Sequence, residues 1–133
     1  MNVESHLRNL KESLEEIKES IQKGVVNRQR TIGFHTSAAA SDMLEVFLHK
    51  KNLISPGQVI KHEWLKSKNK INEKLAFDFA QKDEIIKLMH SIEERRNQLC
   101  YGKPSAEKEI ESQIEDFNKL KEIFIKGGLN EIK

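Results

Sequence analysis

The chain has 133 residues, the usual size of one domain, and can bury a core without disulfides or a bound metal. Charged residues make up 33% of the chain and aromatic residues only 6%, a balance that is typical of solvated helices rather than of a sheet. The net charge of +2 excludes a strong overall field for nucleic acid, so binding of nucleic acid would need a local basic patch.

Cysteine usage and hydropathy predict a cytoplasmic protein that does not enter a membrane. Cys100 is the single cysteine, so no intrachain disulfide can form, which fits a reducing compartment. The first twenty residues are rich in acids and lack the apolar segment of a signal peptide. No stretch approaches the roughly 20 apolar residues that a membrane-spanning helix needs. We therefore expect one soluble helical domain over residues 1–133.

The first predicted helix carries a narrow apolar seam and stops at Gly24. Its apolar residues are three and four positions apart: Leu7, Leu10, Leu14, Ile17 and Ile21. A seam this narrow suits packing against one partner helix, which lies either in the same subunit or in a second chain. The stretch that follows, VVNRQRTIG, fits a bend and a helix start equally well.

The second predicted helix runs from near Arg30 to Lys51 and is expected to be central. Small residues between Ser37 and Ser41 allow a neighbouring helix to approach closely. The residues after them spread apolar area around most of the helix: Met43, Leu44, Val46, Phe47 and Leu48. A helix that is apolar on several sides usually lies in the interior of its bundle.

The middle of the chain predicts short elements. Ser55 and Pro56 resemble the cap and first residue of a short helix. A polar run at residues 67–70 follows, and Phe77 and Phe79 are then expected to anchor a connecting loop.

Two more helices complete the predicted bundle. Asp83 can cap the first of them, which should end near Gly102 because Pro104 cannot continue it. Ser105 starts the last helix, and the glycine pair at positions 127 and 128 ends it. With no convincing strand, the predicted fold class is all-α, a four- to five-helix bundle.

Arg96 interrupts the apolar face of the penultimate long helix. The other residues on this face are apolar: Ile85, Met89, Ile92 and Leu99. Because burial of an unpaired guanidinium costs roughly several kcal/mol, three arrangements are open. Arg96 extends its head group into water, pairs with a carboxylate such as Glu93 or Asp42, or faces a cleft where a ligand supplies the negative charge. Its neighbour Arg95 is expected to be a solvated charge.

The sequence around Arg96, IEERRNQLCYG, resembles the signature helix of HEPN domains (higher eukaryotes and prokaryotes nucleotide-binding). The motif of that family is an arginine, a polar residue directly after it, and then a histidine. Arg96 matches the arginine and Asn97 the polar residue, whereas Tyr101 stands where the histidine is expected. The segment ASDMLEVFLHKK also resembles the preceding helices of the family, and element order and length fit over most of the chain.

The resemblance implies a HEPN-like bundle that forms a homodimer and either binds RNA or cuts it as a metal-independent endoribonuclease. In nuclease members the arginine and histidine of two subunits line a cleft at the dimer interface. Members often work beside a nucleotidyltransferase partner as a toxin–antitoxin pair. The arginine would hold the scissile phosphate and stabilise the charge of the transition state, while the histidine would move a proton.

Tyr101 departs from the motif and leaves two kinds of site open. A phenol is a poor general base at neutral pH, but it can donate a hydrogen bond, act as an acid or stack on a base. Both a cleaving site made of Arg96, Asn97 and Tyr101 and a degenerate, non-catalytic site are consistent with the sequence. His35 and His90 are the histidines that could take the place of the missing one.

The lysine-rich segment KHEWLKSKNK is a second candidate contact for nucleic acid. Lys61 and Lys66 would meet phosphates and Trp64 would stack on a base; the alternative is a solvated linker with Trp64 packed on the bundle. The histidines have no metal-ligand spacing and no glycine-rich phosphate loop is present, so we expect neither a metal nor another cofactor. The alternative function is a non-enzymatic helical protein–protein interaction module that uses the seam of the first helix.

Overall fold

The computed structural model describes residues 2–133, which contain helices and no β-strand. Six α-helices follow one another along the chain: α1 (Val3–Lys23), α2 (Gln29–Lys50), α3 (His62–Leu65), α4 (Lys68–Lys74), α5 (Lys82–Tyr101) and α6 (Glu107–Lys126). Two short 3-10 segments lie outside them, Val25–Arg28 before α2 and Asn130–Ile132 after α6. The predicted all-α bundle is confirmed, with four long helices and two short ones in the α2–α5 connection.

α2 is the central helix, as its apolar circumference predicted. The three other long helices each pack along it, and its residues 43–48 are all buried. The seam of α1 packs within the subunit, because Leu10 and Ile17 are buried against α2. Ile21, the last seam residue, is instead 45% exposed. Removal of these apolar side chains from water supplies the main stabilising free energy, about 25 cal/mol per Å².

A buried polar network joins α2, α5 and α6. The Gln113 amide nitrogen, which is fully buried, donates to Thr36 Oγ1 and to the Ile92 carbonyl, each at 3.0 Å. Beside it Arg95 donates to Asp116 Oδ2 at 2.6 Å, and both side chains are mostly buried. The expectation that Arg95 is a solvated charge is therefore wrong, because α6 places a carboxylate directly opposite it.

The α2–α5 connection begins with a turn rather than with the predicted short helix. Gln58 Oε1 accepts hydrogen bonds from the backbone N–H of Ser55 at 2.8 Å and from its hydroxyl at 3.0 Å. A turn around Pro56 therefore stands where Ser55 and Pro56 were predicted to begin a short helix. The first short helix begins at His62 instead, and Ser67 caps the second one through the Lys70 N–H.

Lys82 holds the loop that leads into α5. Its ammonium group donates to the carbonyls of Leu75 at 2.6 Å and Phe77 at 2.7 Å. Phe77 and Phe79 pack against the core, as predicted. The predicted cap at Asp83 is wrong: Gln81, with a left-handed φ of 64°, takes the cap position, and Asp83 lies in the first turn.

The helix ends largely follow the sequence signals. The residues that end α1, α5 and α6 are the predicted glycines: Gly24, Gly102 and Gly127. α6 begins two residues later than expected, at Glu107, with Ala106 in the cap position. Ser105 lies before the cap position, and its N–H donates to Gln29 Oε1 at 2.7 Å. None of the helices in residues 2–133 is both long and apolar enough to cross a membrane.

Candidate nucleic-acid interface

Arg96 is a half-buried cation without a direct partner. It lies one turn from Glu93 and one turn from Cys100, and both of those residues contact α2. Within residues 2–133 its guanidinium makes no hydrogen bond and takes part in no ion pair, although its charge acts on both neighbours. The predicted pairing with Asp42 is wrong, because His6 Nδ1 lies 2.7 Å from Asp42 Oδ1.

Arg30 extends the positive surface around Arg96. Its guanidinium carbon lies 5.9 Å from the centre of the Tyr101 ring, and that residue is 70% exposed. The charges of Arg96 and Arg30 both act on the Cys100 thiol. Burial raises the pKa of Cys100 and the two arginines offset this only in part, so the thiol keeps its proton and is a poor nucleophile.

The three residues at the positions of the family motif, of which Tyr101 departs from it, do not form one cluster by themselves. Asn97 and Tyr101 are both exposed and lie one turn apart on the same face of α5. Tyr101 is five residues after Arg96 and therefore points about 140° away around the helix. Arg30 from α2 lies against the tyrosine ring, and its charge, like that of Arg96, acts on Cys100.

Phe34 adds an exposed aromatic ring to this region. It lies one turn after Arg30 on α2, is 48% exposed, and packs edge-on against His35 with ring centres 5.0 Å apart. It lines a cavity of about 390 Å³ between α1, α2 and the segment at residues 60–62. An exposed phenylalanine beside arginines is suited to stacking on a nucleobase. We call the following residues the arginine surface: Arg30, Phe34, Arg96, Asn97 and Tyr101.

Gln29 fixes the turn that presents Tyr101. Its amide nitrogen donates to the carbonyls of Leu99 and Lys103, each at 3.2 Å, while its oxygen accepts the Ser105 N–H. These bonds join the start of α2 to the α5–α6 turn. A cavity of about 490 Å³ opens beside the tyrosine at this point. The end of α5 is therefore held in place, and the exposed ring is presented from a supported backbone.

Glu93 is a buried carboxylate between α2 and the connection. Ser37 donates to its Oε2 at 2.7 Å, and His62 Nδ1 lies 3.2 Å from the same oxygen, while Oε1 has no hydrogen-bond partner in the described chain. Burial raises the pKa of Glu93, but the hydrogen bonds from His62 and Ser37 and the charges of His62 and Arg96 outweigh it. The pKa of Glu93 is thus below its usual value, and the group is an anion at neutral pH.

The two histidines proposed to replace the motif histidine lie elsewhere. His35 turns toward α1, where its Nδ1 is 3.0 Å from Ser13 Oγ, and burial lowers the pKa of His35 despite the charges of nearby glutamates. His90 Nδ1 bonds the Leu65 carbonyl at 3.0 Å and so holds α3 against α5. Both rings hold helices together rather than turning toward Arg96.

A further histidine, His6, holds α1 to α2. Its Nδ1 contacts Asp42 and its Nε2 contacts Glu45, and the side chains of His6 and Glu45 are almost completely buried. Burial raises the pKa of Asp42, and the hydrogen bond and charge of His6 oppose that increase. These groups are joined to one another and form part of the packing between the two helices.

The lysine-rich segment is only in part available for nucleic acid. Trp64 is half-buried and packs against the core, and the Lys74 ammonium lies 5.5 Å from the centre of its ring. The arrangement with the tryptophan packed on the bundle is therefore the one observed. Lys61 and Lys66 are exposed, and Lys61 directly precedes the histidine that contacts Glu93.

The contact of His62 with Glu93 could not be foreseen from the sequence. The two residues are 31 positions apart and lie on different elements. The only signal in the sequence is an acid one turn before Arg96, and that spacing predicts a partner for the arginine and not for a histidine.

In the part of the chain that the structure describes, no group of three or more histidine, cysteine, aspartate or glutamate side chains is arranged to hold a metal ion. Comparisons of the chain with models of protein families, with curated proteins and with solved structures found no match.

Proposed function

We propose that the protein is a HEPN-like RNA-binding protein and that the arginine surface is its contact with single-stranded RNA. The observation that carries this proposal is Arg96, a half-buried guanidinium with no carboxylate bound to it in residues 2–133. The stem of such an arginine is already packed and its N–H donors are unused. The arginine therefore loses little side-chain entropy when an anion binds to it. A phosphate has the charge and the geometry that the guanidinium fork accepts.

The neighbours of Arg96 favour a nucleic acid over a small anion. Arg30 provides a second charge, and the exposed rings of Phe34 and Tyr101 provide two flat surfaces for bases. Stacking of a base on an aromatic ring contributes about 1–3 kcal/mol and tolerates any base. Such stacking needs unpaired bases, so single strands are the expected ligand.

The test is the affinity of the purified protein for a fluorescent single-stranded RNA, measured by anisotropy in wild type and variants. We expect Arg96→Ala to weaken binding about tenfold, or roughly 1.4 kcal/mol, and Arg96→Lys to give an intermediate affinity because it keeps the charge without the fork. Lys126→Ala, which removes an exposed charge from the last turn of α6, is expected to have no effect.

Arg95→Ala is the matched control within the same dipeptide. It removes the same charge, but Arg95 faces α6 and is paired with Asp116. We expect its affinity for RNA to change less than twofold while its thermal stability falls. Equal losses of affinity in the two variants would contradict the proposal.

A helical interaction module is the second candidate function, and the groove between α1 and α6 favours it. The two helices pack on α2 but contact each other little. Two adjoining cavities of about 620 and 470 Å³ lie between them, and Ile21 lines both. We take a second copy of the chain as the occupant, which would give a homodimer whose interface lies away from the arginine, where the family resemblance expects it. A nucleotidyltransferase partner stays a prediction of the family resemblance.

A further inference from the structure

His62 has the surroundings of a general base. Its Nδ1 lies 3.2 Å from Oε2 of the ionised Glu93, so this nitrogen donates its proton to the carboxylate. The neutral ring then carries its lone pair on Nε2, which makes no hydrogen bond within residues 2–133. Glu93 is only 2% exposed, whereas the His62 side chain is 46% exposed. A buried carboxylate thus fixes the tautomer of a solvent-accessible imidazole.

Arg96 acts through its charge on the same carboxylate that His62 contacts, without a direct bond to it. It follows Glu93 by one turn of α5, where side chains are about 5–6 Å apart, and its charge acts on that carboxylate. The imidazole and the guanidinium, from two different elements, therefore both interact with one anion, His62 by direct contact and Arg96 through its charge. Phe34 and His62 line the same cavity of about 390 Å³, which places an aromatic ring at this position as well.

We propose that His62 is the general base of a metal-independent RNA cleavage at the arginine surface and that Glu93 is the residue that positions it. This proposal rests on the RNA binding proposed above. It assigns the proton transfer to a histidine that is distant in sequence from Arg96, in place of the tyrosine that stands in the motif.

The reaction needs only groups that the chain and water supply. His62 Nε2 takes the proton of a ribose 2′-hydroxyl, and O2′ forms a bond to the adjacent phosphorus as the bond from phosphorus to O5′ breaks. The leaving O5′ takes a proton from water, and the hydroxide so formed is neutralised by the proton on His62. The products are a 2′,3′-cyclic phosphate and a 5′-hydroxyl, while Arg96 holds the phosphate oxygens and stabilises their added charge.

Charged groups from three elements surround His62. Glu93 faces it from α5, and the charges of Asp42 and His62 act on each other across the cavity. The cavity is also lined by titratable groups of α1 and α2: His6, Glu12, His35 and Glu45. A general base acts only in its unprotonated form, so cleavage is expected to fall as the pH is lowered from neutrality.

The test uses the full chain, a chelator in the buffer and a fluorescent DNA strand with a single ribonucleotide. We expect cleavage at the ribonucleotide to give a 2′,3′-cyclic phosphate, and the all-deoxy strand to remain intact. His62→Gln should lower the rate at least 100-fold and change the affinity for single-stranded RNA less than twofold. His90→Gln, which alters a histidine that bonds a backbone carbonyl, should retain the rate.

Two further measurements distinguish a catalytic effect of the His62 and Glu93 substitutions from an effect on folding. Added imidazole should restore part of the activity of His62→Ala, which a folding defect would not allow. Glu93→Gln should lower kcat about tenfold with little change in KM, and should move the acidic limb of the pH–rate profile to lower pH. A merely structural carboxylate would leave the shape of that profile unchanged.

The outcomes distinguish this inference from the function on which it rests. Wild-type protein that binds RNA without cutting it, or a His62→Gln variant that cuts at the wild-type rate, would overturn the role of His62 and leave RNA binding intact. A wild-type protein that does not bind single-stranded RNA would overturn the proposed function itself.

Discussion

Arg95 and Arg96 are adjacent in α5 and have different surroundings, because a helix turns by about 100° at each residue. Arg95 faces α6, meets Asp116 at 2.6 Å and belongs to the packing of three helices. Arg96 faces α2, where no carboxylate bonds to it in the described residues. The same side chain is therefore structural at one position and available to a ligand at the next.

Glu93 gives a prediction about pH at the scale of a single residue. Because the pKa of Glu93 is lowered on folding, its ionisation stabilises the fold above the ordinary value of 4.5, and this contribution is lost as the pH falls through the folded-state pKa. We expect Glu93→Gln to lower the free energy of unfolding by about 1–3 kcal/mol at neutral pH. The difference from wild type should shrink in acid, as measured by urea unfolding across pH 3 to 7, roughly the carboxylate range.

Glu94→Gln is the matched control for this measurement. Its side chain is 72% exposed and its nearest partner, His90, is 3.5 Å away. We expect nearly the same unfolding free energy as in wild type at every pH. A gap between wild type and Glu93→Gln that stays constant down to pH 3 would mean that the carboxylate acts through packing and not through its charge.

At the scale of elements, the arginine surface depends on the close crossing of α2 and α5. Gly33 makes this crossing possible, because a Cβ there would lie 2.7 Å from Leu99 Cβ and 3.2 Å from Cys100 Sγ. The two helices must be this close for Ser37 to reach Glu93 and for Arg30 to reach the Tyr101 ring. The separation of two backbones thus sets the geometry of the site.

Gly33→Ala tests this dependence. The added methyl group must push α2 and α5 apart, and we expect a loss of about 1–3 kcal/mol in the free energy of unfolding, despite the better helix propensity of alanine. Gly57→Ala is the control, because its Cβ would meet nothing within 4 Å. If thermal unfolding finds Gly33→Ala as stable as wild type, the contact between the helices is looser than described.

At the scale of the whole molecule, three long helices surround α2, and a groove lies between two of them, α1 and α6. α1 and α6 lie on α2 with cavities between them, and Ile21 is exposed at that place. Apolar side chains that line a groove on the surface mark a site where another helix can pack. The groove and the arginine surface are separate regions, so association and RNA binding can be tested independently.

The solution mass of wild type and Ile21→Glu tests the expected homodimer. Light scattering should give twice the chain mass of 15.4 kDa for wild type, and the variant should dissociate because it places a charge in the apolar groove. Val59→Glu is the control, since Val59 is also 45% exposed but does not line the groove. A variant that remains dimeric would exclude the groove as the interface, and a monomeric wild type would contradict the predicted homodimer.

The sequence by itself determined the four long helices, the glycine ends of three of them and the central place of α2, because apolar spacing and chain-breaking residues act within a few positions of the chain. It also singled out Arg96 as a charge on an apolar face. Only the tertiary structure decided which charges meet. Arg95 pairs with Asp116, Asp42 contacts His6, and Glu93 contacts His62. Such pairs depend on how helices distant in sequence cross, and the local pattern of residues does not carry that information.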